Sequence, residues 1–237
     1  MNNTDGLFRE IKERVYEANM RLYRSGLVRL TFGNVSEKFA FEGNYLVAIK
    51  PSGVNYDRLQ PEDIVMVRPD GNALTGALRP SSDTPTHLAV YARLPHWSGV
   101  AHTHSSFATA WAQAGRSIPI LGTTHADYLP CPVPCTLPMT DADIGIAYEH
   151  NTGTQLVEHL LTAGAALSPM VLLHGHGPFT FGSSGCASVE ASIALEEIAR
   201  MAYYSLAINP LATTITPALI ERHYFRKHGT HKYYGQN

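Results

Sequence analysis

The sequence predicts an α/β fold in one domain spanning residues 1–237, and three observations carry that expectation. Hydrophobic residues make up 44% of the chain and charged ones 16%, an ordinary balance for a chain with a packed core. Apolar periodicity switches repeatedly between helical and strand spacing, and from about residue 83 onward the two alternate. No low-complexity linker, charge block or internal repeat interrupts the run, which leaves no boundary for a second domain.

Leu7, Ile11, Val15 and Leu22 recur at helical spacing and Gly26 follows as a C-cap, so the chain opens with an amphipathic helix. Three β-rich stretches come next: "VRLTFG" (28–33), "NYLVAIK" (44–50) and "EDIVMVRPDGNAL" (62–74). The Asp-Gly in the last of these is a hairpin signal. In "DTPTHLAVYARLP", Asp83 or Thr84 can cap a helix with Pro85 in its first turn, and "GVAHTHS" (99–105) reads as the strand after it. "FATAWAQAG" and "GTQLVEHLLTAG" are helical, while "PMVLLHGHGPFTFG" reads as a strand and hairpin. "ASVEASIALEEIARMAYYSLAI" is a long buried helix, and "TPALIERHYFRKHG" a short last one before the polar tail "THKYYGQN".

Composition excludes several classes of function. A formal net charge of −2, with Lys and Arg scattered, offers no basic field for nucleic acid. Cys131, Cys135 and Cys186 are an odd number of thiols in a chain too large to need disulfides. They are expected to be buried thiols in a reducing compartment. The charged start lacks the apolar core of a signal peptide and no segment approaches spanning length, so the cytoplasm and no membrane partner are expected.

Histidines carry the chemistry. His102 and His104 end one apolar strand and would face the same way, because side chains in a strand alternate. Among twelve histidines such a pair alone decides little, but "LLHGHGPF" places His174 and His176 at the end of another apolar strand. Together the two clusters can supply three nitrogens to one tetrahedral metal with room for a substrate oxygen. Zinc suits such ligands, and manganese or cobalt would also fit. "KPSG" (50–53) and "RPSSD" (79–83) add serine hydroxyls, bare backbone N–H groups and a helix N-terminus, which together form an anion site. Read alone, they are more simply turns and an N-cap.

Taken in order, "GNVS", "IKPSGV", "RPSSDTPTH", "HTHS", "WAQAG", "GTTHADY", "HGHGPF", "HYFRKHG" and "YYGQ" resemble the L-ribulose-5-phosphate 4-epimerase family of the class II aldolase/adducin superfamily. The likeness runs from about Asn19 to Gln236. It implies a central, mostly antiparallel β-sheet flanked by helices. It further implies zinc on His102, His104 and His176, with Asp83 at or beside the metal, and His174 outside the ligand set. By the same resemblance the phosphate of a pentulose phosphate substrate lies on Ser52, Gly53, Ser81 and Ser82, and Asn34 and Lys50 line the site. Asp127 and Tyr234 match the family's proton-transfer pair, the tyrosine reaching in from a neighbouring subunit of a homotetramer, and Thr123 and His223 match further lining positions.

The chemistry explains the parts. The C4 hydrogen of a 2-ketose phosphate is not alpha to the carbonyl, so its abstraction gives no stabilised anion. Inversion at C4 therefore goes through cleavage of C3–C4 and re-addition of the rotated aldehyde, with a Lewis acid for the charge left behind. Two other readings stay open: a class II aldolase that releases the aldehyde, and a non-enzymatic adducin-like scaffold. Aldolases typically carry Glu after the Ser-Ser pair, where this chain has Asp83, and a scaffold would not need all three histidines. Ser106 and Phe107, the prolines of "ADYLPCPVPC" and "HGHG" depart from common family patterns beside the site.

Overall fold

In the computed structural model the chain is described over residues 3–75, 78–230 and 232–234. Helix α1 (Asn3–Arg24) ends at Gly26, whose φ of 75° gives the expected left-handed exit. Strands β1 (Asn34–Phe41) and β2 (Asn44–Ile49) follow, joined by Glu42 and Gly43, both at positive φ, as a tight two-residue hairpin requires. The expected strand over 28–33 is instead an irregular segment. The strand starts where that segment stops, because polar Asn34, Ser36 and Glu37 are buried with partners from distant elements.

Strands β3 (Val65–Val67) and β4 (Ala73–Thr75) form the predicted Asp-Gly hairpin, with Gly71 at φ 89°. Then come α2 (Thr84–Arg93), β5 (Gly99–His102), α3 (Ser106–Gln113) and two short helices, α4 (Thr123–Ala126) and α5 (Asp141–Gly145). Helix α6 (Tyr148–Thr162), the hairpin β6 (Met170–Leu173) and β7 (Gly177–Gly182), α7 (Gly185–Ile208) and α8 (Pro217–His228) complete the fold.

Among the described residues the seven strands form one sheet in the order β4-β3-β2-β1-β5-β7-β6, and every pair is antiparallel. Its two faces carry different helices. On one face Val47, Ile49, Val100, Val171 and Phe181 pack against Leu88 and Tyr91 of α2 and Leu156 and Leu160 of α6. On the other, Val35 and Ala101 meet Ala18 and Leu22 of α1 and Val189 of α7, while Met170 and Leu172 pack against α3 and α7. With both faces covered, the central strands β1, β5 and β7 are buried almost throughout, which fixes their register firmly. His102, His104 and His176 sit at or just beyond the ends of β5 and β7.

Candidate active site

His102 is the last residue of β5, opposite Asn34 at the start of β1 and Phe179 in β7. Its ring stacks on Phe179 at 4.1 Å, and its Nδ1 lies 3.0 Å from the Pro178 carbonyl. A carbonyl only accepts, so Nδ1 carries a proton and Nε2 is the atom turned toward the other rings. His104 lies just past the strand, so alternation is not what brings it alongside. The chain turns there into the N-cap Ser105 of α3, leaving the two Nε2 atoms 3.2 Å apart. His176 comes from the turn between β6 and β7, with Nδ1 3.1 Å from the Tyr148 hydroxyl.

The three rings stand almost equidistant, with centroid separations of 4.9, 4.9 and 5.0 Å, and their ligating atoms lie within 4.8 Å of one another. Nitrogens about 2.0–2.1 Å from a tetrahedral ion are about 3.3 Å apart, so the His102–His104 spacing fits a shared divalent cation. Burial, then the closeness of His102 and His104, lowers His176 to about 4, and burial with His102 lowers His104. At neutral pH both are uncharged, as ligands must be. His174 is elsewhere: its ring lies against Gly115 and its backbone N–H donates to Thr136.

Asp83 occupies the N-cap position of α2 without capping it. Its carboxylate instead accepts from Asn34 Nδ2 at 2.6 Å. Burial disfavours its charge, but His102, His87 and the Asn34 bond outweigh this and hold the carboxyl below its usual range. Asp83 lines the same cavity as the histidines but stands outside their close cluster.

The two serine turns are stitched together. Ser52 N donates to Arg79 O at 3.0 Å and Ser81 N to Lys50 O at 3.1 Å, around a bridge between Pro51 and Pro80. They form one wall of a cavity of about 320 Å³, whose described lining includes Asn34, Lys50, Ser52, Gly53, Ser81, Ser82, Asp83 and the three histidines. Lys50 is 1% exposed, its Nζ donates to the carbonyl of Val54 at 2.7 Å, and it stands 4.8 Å from the Tyr56 ring. Burial pulls its pKa down to about 8, and among the described residues no carboxylate pairs with it. A buried cation beside serine hydroxyls and a helix N-terminus favours an anion.

Gly33 explains the close fit of β1 and β5. It has φ 74°, and a Cβ there would meet the His102 carbonyl at 2.7 Å. Thr31, Phe32, Gly33 and Pro51 also line the cavity, and motif spacing did not single out Thr31, Phe32 or Pro51.

Asp127, Thr123, His223 and Tyr234 do not line this cavity; they gather elsewhere in the same chain, where α8 packs on α4. Asp127 accepts from His223 Nδ1 at 3.0 Å and from Arg226 Nε at 2.9 Å and Nη2 at 2.6 Å, with Lys227 at 3.8 Å. Burial opposes its charge, but Arg226 and His223 prevail and lower its pKa. Tyr234 lies over both Arg226 and Lys227, at 4.7 and 4.8 Å. Thr123 begins α4, and its carbonyl accepts from Asp127 N. Arg226 and Lys227 were missed as partners, although their spacing of three and four residues from His223 puts all three on one face of α8. Gln236, the end of the tail motif, lies outside the described residues.

Fold and histidine geometry define a class, and the chain belongs to it: residues 13–203 match the class II aldolase and adducin N-terminal domain family. Among its relatives is L-ribulose-5-phosphate 4-epimerase UlaF of Salmonella paratyphi B, 46% identical over 227 residues, covering 96% of this chain and 99% of that protein. Solved structures of similar fold include an L-fuculose 1-phosphate aldolase, with TM-score 0.72, 24% identity and coverage of 90% of this chain and 94% of that one. L-fuculose-1-phosphate aldolase from Thermus thermophilus has TM-score 0.65 and 26% identity, covering 85% of this chain and 98% of its own.

Proposed function

We propose that the protein is a metal-dependent L-ribulose-5-phosphate 4-epimerase, interconverting that ketose with D-xylulose 5-phosphate by breaking and re-forming C3–C4. One observation carries the reading: the histidine triangle and the Lys50–serine wall open into the same cavity, so one ligand can present a chelating oxygen pair to the first and a phosphate to the second. The activity named for the 46%-identical relative supports it. His102, His104 and His176 hold a divalent ion, zinc by ligand type, with Asp83 beside it. When bound, that ion supplies Lewis acidity toward the charge left by carbon–carbon cleavage.

The chain's own groups do the rest. Ser52, Gly53, Ser81, Ser82 and Lys50 anchor the phosphate so that the two-carbon aldehyde stays in place while it turns. Asn34 fixes the Asp83 carboxylate through Nδ2. Cleavage takes the proton from the C4 hydroxyl, and re-addition on the opposite face returns one to the same oxygen. Asp127 and Tyr234 serve these transfers, one on each face. Since both lie on one patch away from this chain's cavity, that patch completes the site of a neighbouring subunit, and the working form is a homotetramer. Among the described residues no helix is long and apolar enough to cross a membrane. The odd number of thiols supports assigning the enzyme to the cytoplasm. The metal-loaded protein is to be incubated with L-ribulose 5-phosphate, following D-xylulose 5-phosphate and free aldehyde. Conversion without aldehyde release is expected, and aldehyde release as the main outcome favours an aldolase instead.

A further inference from the structure

We infer that Tyr148 is a positioning residue for the metal centre: its hydroxyl sets the tautomer and direction of His176, so that Nε2 faces the other two imidazoles. This rests on the metal-centre reading above. The three histidines are not held alike. His102 is fixed by a backbone carbonyl, which can only accept, whereas the Nδ1 of His176 meets a hydroxyl at 3.1 Å, which can accept or donate. With a metal on Nε2, Nδ1 keeps its proton and the Tyr148 oxygen accepts it. The two rings lie 4° from parallel with centroids 6.4 Å apart, and Tyr148 is not among the described residues lining the cavity. It stands behind the ligand rather than beside the substrate.

The backbone around Tyr148 is built to hold that aim. Tyr148 is the first residue of α6, and Ala147 before it takes φ 52°, ψ 50°, a left-handed conformation that residues with a Cβ seldom adopt. Asn151 pins this turn: its backbone N–H donates to Ala147 O and its side-chain amide to Asp143 O and Ile146 O. Thr86 of α2 donates to the Glu149 carbonyl at 2.6 Å, tying the first turn of α6 to the helix headed by Asp83. The strained residue thus sits where the chain must turn to bring a hydroxyl under His176.

The test is Tyr148→Phe, which keeps the ring and removes the oxygen. Metal-free wild-type and variant are titrated with Zn²⁺ against a chromophoric chelator, melted without metal, and examined by ¹⁵N NMR of the histidine rings. The variant is expected to bind Zn²⁺ about 10–100-fold more weakly, with the His176 tautomer shifted and metal-free melting unchanged. Ala147→Gly, which tolerates the same backbone angles, should keep wild-type affinity. Wild-type affinity in Tyr148→Phe overturns the role and leaves the centre standing. So does weaker binding accompanied by a lower metal-free melting temperature and an unchanged tautomer, which marks a merely structural hydroxyl. If the wild-type protein binds no Zn²⁺, or His176→Ala binds as tightly as wild type, the metal centre itself falls and this inference with it.

Discussion

At the scale of single residues, the histidines separate by geometry rather than by count. His102→Ala and His176→Ala each leave two imidazoles, too few for a closed site, and should remove the metal, whereas His174→Ala should keep it because that ring lies against Gly115. Elemental analysis of the three purified variants checks this, and normal metal content in either of the first two would sink the ligand assignment. Asp127→Asn preserves size but cannot take up the proton, so epimerisation should fall by about 10²–10⁴-fold, seen mainly in kcat because metal and phosphate anchors are untouched. Tyr234→Phe should behave likewise. These residues were legible in the sequence through their motifs, as were the serine turns. Tyr148, Arg226 and Lys227 were not, because they matter through contacts with residues 28 and about 100 positions away.

At the scale of elements, most helices and hairpins follow from apolar period and turn chemistry, and the exceptions have physical causes. Strand β1 escaped because three of the four buried residues that open it are polar. Ser36 is satisfied by His87 Nδ1 at 2.7 Å and Tyr91 at 2.8 Å, and Glu37 accepts from the first N–H of α7. No local pattern announces partners that come from α2 and α7. The same junction predicts a cost for Gly33→Ala, where a positive φ and a 2.7 Å approach to the His102 carbonyl coincide. Destabilisation of at least about 1 kcal/mol is expected, together with weaker metal binding as β5 shifts. Urea unfolding of the metal-free variant beside a Zn²⁺ titration measures both, and an unchanged unfolding midpoint would show that the junction has slack.

At the scale of the whole molecule, two consequences follow. His87 and His176 are held neutral by burial, lowered to about 3 and about 4, while in the unfolded chain such rings take up a proton near pH 6.5. Between those values the unfolded state binds more protons than the folded one, so the metal-free protein should lose stability as pH falls from about 6.5 toward 4. Thermal melts across that range check the sign, and a melting temperature that rises on acidification would contradict it. The second consequence follows from the proposed sharing of the site between subunits. Asp127→Asn alone should keep only its reduced rate and His102→Ala alone should be inactive, but mixed oligomers should regain activity where an intact cavity of the first faces an intact Asp127–Tyr234 patch of the second. Hybrids with confirmed subunit exchange and no recovered activity would mean that the patch does not serve a neighbour. The sequence indicated such sharing through its resemblance, but only the folded chain separates the site residues into two groups.

The central claim is that the stereocentre inverts by carbon–carbon cleavage and not by loss of the C4 hydrogen. Running the conversion of L-ribulose 5-phosphate in D₂O and recording the NMR spectrum of the product tests it most directly. Cleavage and re-addition keep the original hydrogen on C4 throughout, so D-xylulose 5-phosphate should form with no deuterium at C4. Deuterium at C4, acquired in step with turnover, would contradict the account.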